Sequence, residues 1–118
     1  MKRIQNPKLI EVIRFLKDKT REFDAPIWHD LAERLEKPNN NRSTVNVSRI
    51  NRYTNDGETV TVAGKVLGAG AIDHKVSVAA FSFSEKARKK IEGAGGKCLT
   101  FSILVNKNNK GTNLRIIG

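Results

Sequence analysis

The stretch VSVAAFSFSEKARKKIEG, residues 76–93, decides the fold. Its first half, Val76 to Phe83, is rich in β-branched and aromatic residues, the composition of a pleated and largely buried strand. Ser84 then offers a hydroxyl to cap a helix, EKARKKIE follows, and Gly93 supplies the stop. A strand that runs straight into a helix is half of an α/β unit. The flanking segments repeat the alternation. Upstream, Thr59–Val62 (TVTV) reads as strand. Downstream, residues 93–97 (GAGGK) read as a turn, Leu99 as a short strand, Phe101 to Asn106 as a short helix and Leu114 to Ile117 as a closing strand. The expected class is α/β, a helical N-terminal arm followed by a small mixed α/β body.

The arm comes from two periodic segments. Asn6-Pro7 has the form of a helix start, with Asn6 as cap and Pro7 in the first turn. Leu9, Val12, Ile13 and Leu16 then recur at helical spacing, and this helix is expected to reach about Arg21. Pro26 opens a second helix carrying Ile27, Leu31 and Leu35, which must stop before Pro38. The short connection makes the two helices packed neighbours. Past Pro38, Val45 and Val47 alternate with polar residues and read as strand. No internal repeat or long linker divides the 118 residues, so one domain, 1–118, is expected.

Charge separates this chain from an average globule. It holds 22 Lys and Arg against 12 Asp and Glu, a net charge of +10, divided equally between residues 1–53 and 54–118. Such a body favours polyanionic partners. Cys98 is the only cysteine, which excludes an intramolecular disulfide and a cysteine metal cage and fits a reducing cytosol. Charges interrupt the apolar residues of the first 20 positions, so no signal-peptide core is expected there. No apolar run approaches the ~20 residues of a membrane span, and the expected location is cytoplasmic.

Residues 37–55, KPNNNRSTVNVSRINRYTN, hold four cations, six asparagines and no carboxylate. A surface facing water mixes both signs of charge. One that keeps guanidinium, amide and hydroxyl groups while omitting acids suits a partner that is negative and rich in acceptors. Asparagine both donates and accepts, so it can address a ribose hydroxyl or a base edge as well as a phosphate. The segment reads as an RNA-contacting surface. Tyr53, at its end, is a candidate for stacking or sugar contact. Trp28 lies beside Ile27 on an amphipathic helix and reads as core. The helix bearing Lys86, Arg88, Lys89 and Lys90 reads first as a solvated face and second as an RNA contact.

Signatures of enzymes fail one by one. GKVLGAG, residues 64–70, lacks dinucleotide-fingerprint spacing, because Asp73 stands where the last glycine belongs. The Gly-Gly-Lys at 95–97 mimics the end of a P-loop, but Cys98 replaces the magnesium-holding hydroxyl and Ile91 the leading glycine. Both stretches read as turns and close backbone approaches. His29 and His74 have no companions at metal spacing. His29 reads as a packed or surface residue of the second helix, and His74 as a turn residue facing solvent within reach of phosphate. Cys98 reads as a small core residue rather than a nucleophile.

The run ERLEKPNNNRSTVNVSRI, residues 33–50, resembles the signature of the archaeal and eukaryotic large-subunit ribosomal protein family eighteen-e, a relative of bacterial-type large-subunit ribosomal protein fifteen. Leu35, Pro38, Arg42, Val45, Asn46, Arg49 and Ile50 carry the match. It extends to NPKL at 6–9, Trp28, GKVLG at 64–68, VSVAAFSFS at 76–84 and the LRIIG ending. The chain departs from the family in Asn39, Asn40 and Asn41, where relatives tend to carry basic residues, which reduces the counterion-release term of that loop.

The resemblance implies an irregular ββα superhelix and a structural, non-catalytic role in the large subunit, with no cofactor. Partners would be large-subunit rRNA and neighbouring large-subunit ribosomal proteins, with no membrane and no small-molecule substrate. Candidate rRNA contacts are Lys37, Asn39, Asn40, Asn41, Arg42, Ser43, Asn46, Arg49, Arg52 and Tyr53 along the acid-free run. Lys2, Arg3, Asn6, Lys8 and Arg34 would join from the N-terminal part, and Lys65, His74 and Lys75 from the turns. A free-standing RNA regulator or a small RNA-processing enzyme is the alternative.

Overall fold

Asn6 opens helix α1 (Pro7–Phe23) by accepting hydrogen bonds from the backbone N–H groups of Lys8 (3.0 Å) and Leu9 (3.4 Å). Pro7 takes the position where a missing N–H costs nothing. The structure, a computed structural model, describes residues 6–37 and 43–118. α1 outruns its expected end by two residues and stops at Asp24 in the left-handed region (φ 50°). α2 (Pro26–Leu35) follows. Leu9, Ile13 and Leu16 of α1 meet Trp28, Leu31, Ala32 and Leu35 of α2 in one buried cluster.

The remaining elements are β1 (Ser43–Asn46), α3 (Val47–Tyr53), β2 (Glu58–Leu67), β3 (Val76–Phe83) and α4 (Glu85–Gly93). β4 (Lys97–Leu99), α5 (Phe101–Lys107) and β5 (Arg115–Ile116) complete the order. Every strand pairing among them is parallel, in the order β1-β2-β3-β4, with β5 also on β2. Because β3 occupies one edge of β2, the other edge is shared. β5 pairs with Val60 and Thr61, and β1 pairs with Gly64 to Leu67.

A parallel sheet needs cover on both faces. On one side, α1, α2 and α5 pack over Ala63, Ala79 and Leu99, and the small alanines let the helices approach closely. On the other, Val47 and Ile50 of α3 with Ala87 and Ile91 of α4 pack over Val60, Val62, Val66, Val76 and Val78. The helical arm is thus one layer of a sandwich.

Three expectations change. Residues 47–53 form α3 rather than continuing the strand from Val45. Val47 and Ile50 are one helical turn apart, and both are buried there. Gly64 lies inside β2, not in a turn. It belongs to a bulge, because Val62 pairs with Ala80 and Lys65 with Ser82, leaving an extra residue on β2. The third concerns the link between β2 and β3. Residues 68–75 connect these parallel strands without a helix. Nine Cα steps reach about 30 Å at most, close to the roughly 30 Å length of a ten-residue strand. The strap is therefore short for the distance it covers, and it bends at Gly70 and His74.

Trp28 fastens the N-terminal layer to residues far downstream. Its side chain is wholly buried, and Nε1–H donates to the Asn109 carbonyl at 2.8 Å. Gly111 beside it adopts φ +68°, and a Cβ there would collide with the Ile27 side chain. Replacing Trp28 by Phe is expected to lower the unfolding free energy by about 1–3 kcal/mol, through lost volume and a carbonyl left without its donor. Urea unfolding followed by circular dichroism measures this. An unchanged midpoint would show that the indole bond contributes nothing.

Candidate nucleic-acid interface

The seven residues of α3 face three ways. Val47 and Ile50 point into the core, where Thr54 closes the turn by donating to the Ile50 carbonyl at 2.7 Å. Asn46, Ser48 and Asn51 hold the strap. The Asn46 Oδ1 accepts from Ala69 N (3.2 Å), Ser48 N donates to the Ala69 carbonyl (3.3 Å), and the Asn51 Oδ1 accepts from Asp73 N (3.1 Å). Gly70 passes Ser48 at φ +87° with no room for a Cβ. Arg49, Arg52 and Tyr53 are left facing outward.

That outward row is organised. The Arg49 guanidinium lies 5.5 Å from the Tyr53 ring centroid, and Tyr53 is 48% exposed, one of two large exposed apolar residues among the described residues. Arg115 of β5 donates to the Tyr53 carbonyl at 2.6 Å and reaches Glu58 at 3.2 Å. It thus satisfies an open carbonyl at the end of α3 and compensates the nearest strand carboxylate. Among the described residues, no carboxylate lies within ion-pair distance of Arg49 or Arg52. Cations left without an internal partner suit phosphate, and a half-exposed tyrosine beside them suits a base or ribose face.

The strap is pinned at several further points. Lys90 Nζ donates to the carbonyls of Gly68 (2.7 Å) and Gly70 (2.5 Å), so this member of the α4 charge run has a structural task. His74 does not face solvent. Its side chain is only 17% exposed, with Nε2 at 2.7 Å from Thr54 Oγ1 and Nδ1 at 3.0 Å from Asp73 Oδ1. Both ring nitrogens are engaged, and the ring ties strap to helix. Lys75 is exposed at the strap's end, where its N–H donates to Asp56 Oδ1 at 3.0 Å.

The other candidates scatter. Lys65 is exposed on β2, in register with Thr44. Lys37 is exposed just past α2. Asn6 spends its carboxamide oxygen on the α1 cap, and Lys8 is exposed in the first turn. Arg34 pairs with Asp30 at 3.1 Å. Ser43 begins β1. Lys2, Arg3, Asn39, Asn40, Asn41 and Arg42 lie outside the described residues.

Charge divides by layer. Residues 6–36 carry six basic side chains (Lys8, Arg14, Lys17, Lys19, Arg21, Arg34) and seven acidic ones (Glu11, Asp18, Glu22, Asp24, Asp30, Glu33, Glu36). Many of these pair internally, including Lys17–Glu36 at 3.0 Å, Lys19–Glu22 at 2.8 Å and Arg21–Asp18 at 2.9 Å. Residues 43–118 hold 12 basic and five acidic residues. Residues 43–118 thus hold +7 of the net +10, residues 6–36 hold −1, and Lys2, Arg3, Lys37 and Arg42 supply the remaining +4. The division went unread in the sequence because each half of the chain carries the same net charge, and the seven acids of residues 6–36 alone mark it.

The fold and charge together define a basic α/β protein with one charge-balanced helical face. A family model described as ribosomal protein 60S L18 and 50S L18e matches residues 2–118. The chain is 53% identical over 112 residues to the large ribosomal subunit protein eL18 of Methanothermobacter thermautotrophicus, spanning 95% of this chain and 93% of that one. It is 49% identical over 112 residues to the eL18 of Methanoregula boonei, with the same coverage. With the eL18 of Methanococcus maripaludis it shares 48% over 119 residues, 99% of each chain. The chain belongs to the L18/L18e family of ribosomal proteins.

Among the described residues no group of three or more His, Cys, Asp or Glu is placed to hold a metal ion, and no helix is long and apolar enough to cross a membrane. His29 lies on the surface of α2, 3.4 Å from Glu33. Cys98 packs against the valine-rich core. Burial pushes its thiol above the ordinary range, Arg88 pulls it back in part, and Glu92 adds to the rise. Only the thiolate is a good nucleophile. Alkylation by iodoacetamide at pH 8 is therefore expected to run slower than for a free thiol and to accelerate as pH rises past the usual cysteine range. Reaction at pH 8 as fast as a model thiol would contradict the burial.

Proposed function

We propose that the chain works as one domain, residues 1–118, which grips large-subunit rRNA through the outward side of α3 and holds its shape. The family supplies the coarser statement. The protein is a structural constituent of the large ribosomal subunit, located in the ribosome of the cytoplasm, and associates there with rRNA and other ribosomal proteins. Its part is binding rather than catalysis, and the reading requires no cofactor, small-molecule substrate or membrane.

The observation that carries the finer reading is the row Arg49, Arg52, Tyr53, oriented by a helix whose other two sides are occupied by core and strap. Lys37, Lys65 and Lys75 add exposed cations on neighbouring elements, and Asn39 to Arg42 continue the acid-free run toward β1. Mechanistically, the arginines displace counterions from the backbone while the tyrosine packs on a sugar or base, so affinity should depend on salt.

Sedimentation of cell extract tests the assignment at its coarsest level. The chain is expected to co-migrate stoichiometrically with the large subunit in moderate salt, and migration at the top of the gradient in low salt would overturn it. For the finer reading, an Arg49→Ala, Arg52→Ala double variant is expected to bind rRNA more weakly, with the slope of log affinity against log salt shallower by roughly 1–2. An unchanged slope would remove both residues from the interface.

A further inference from the structure

A second acid-free run closes the sequence. No carboxylate follows Glu92, and residues 93–118 hold four cations and four asparagines, the same chemistry as residues 37–55. KNNKGTN at 107–113 repeats the lysine, amide and hydroxyl mixture of KPNNNRST. The structure places the α5 part of this second run on a different face. α5 belongs to the layer of α1 and α2, on the opposite side of the sheet from α3.

The loop after α5 is firmly built. The Asn108 carboxamide closes it at both ends, donating from Nδ2 to the Thr112 carbonyl at 2.8 Å and accepting from Thr112 N at 3.1 Å. Trp28 holds the Asn109 carbonyl, and Lys110 Nζ donates to the Phe23 carbonyl at 2.6 Å. Backbone and Lys110 are thus committed to the fold, while Asn109, Thr112 and Asn113 are exposed, as are Asn106 and Lys107 at the end of α5. Glu58 lines the adjoining cleft, but Arg115 compensates it at 3.2 Å. The exposed end of α5 supplies the Lys107 ammonium and the anchored loop supplies amides and a hydroxyl, and this mixture, beside a helix layer many of whose charges pair internally, is complementary to a polyanion with many acceptors.

We propose that the outer face of α5 and the loop 108–113 form a second RNA-binding surface, so that the protein holds two RNA segments on opposite sides of its sheet. The proposal rests on the rRNA reading of the family and adds a separate contact to it. Its partner is the sugar–phosphate backbone of large-subunit rRNA rather than an acidic protein.

The test uses the full chain, purified large-subunit rRNA, filter binding and hydroxyl-radical footprinting. An Asn106→Asp, Lys107→Glu variant is expected to bind about tenfold more weakly at moderate salt. It should lose a set of RNA protections distinct from those lost by Arg49→Ala, Arg52→Ala. A Lys107→Ala, Asn109→Ala variant, with thermal unfolding measured by circular dichroism, covers the case in which the charge reversal harms folding. Wild-type binding by both α5 variants, with weakened binding by the α3 variant, would overturn the second surface and leave the α3 reading standing. Loss of the same protections in both sets would also overturn it. Wild-type binding by all variants would remove both surfaces. Normal rRNA binding by the α5 variants with failed incorporation into large subunits would assign the face to a protein neighbour and overturn the RNA proposal.

Discussion

β2 holds the layers of this molecule in register. Among the described residues it pairs with three strands, β3 on one edge and β5 and β1 in succession on the other, whereas β3 pairs with two. Its side chains serve both cores: Val60, Val62 and Val66 enter the cluster under α3 and α4, while Ala63 enters the cluster under α1, α2 and α5. Thr61, wholly buried between them, satisfies its hydroxyl by donating to the Ala79 carbonyl at 2.8 Å. A buried polar group is tolerated only with such a partner. The Gly64 bulge marks where the neighbour across the edge changes from β5 to β1.

The position of α3 follows from this arrangement. The helix is too short to be stable by propensity alone. It is held by two apolar side chains beneath, the strap alongside and Arg115 at its end. Arginines displayed from such a frame lose less freedom on meeting a phosphate than arginines on a loose loop, because the backbone is already ordered. The exposed ion pairs of α1 and α2 do little for stability. Their effect is to neutralise a face, which confines the positive field to the rest of the body.

What could be read beforehand depended on the length and regularity of each pattern. β3, Ser84 and α4 were legible because eight strand residues, a capping hydroxyl and a glycine stop all point the same way. α1 and α2 were legible from their stripes and prolines. α3 was not, because Val47 and Ile50 offer a single turn of periodicity among residues of weak helix propensity. The strap was illegible for another reason. GAGAIDHK has no period, and its path is set by the two strand ends that it joins and by partners remote in sequence. Arg49, Arg52 and Tyr53 were identified as candidates from the missing carboxylates, although only the helix brings them to one side. The inward turn of His74 and the task of Lys90 depend on partners about 20 residues away, which composition does not register.

The late arrival of β5 has a consequence for the newborn chain. Val60 and Thr61 are made long before their partners Arg115 and Ile116, so this part of the β2 edge is bare while the intervening residues are synthesised. The same downstream segment brings the acceptor for Trp28, in Asn109, and the donor that closes α3, in Arg115. Closure of the sheet, sealing of the helical layer and completion of the arginine-bearing helix therefore become one event. A chain interrupted before that event keeps an open, valine-rich strand edge, the kind of surface that recruits other strands. Such a fragment would be sticky where the finished protein is closed, so the last residues of the chain protect an edge laid down much earlier.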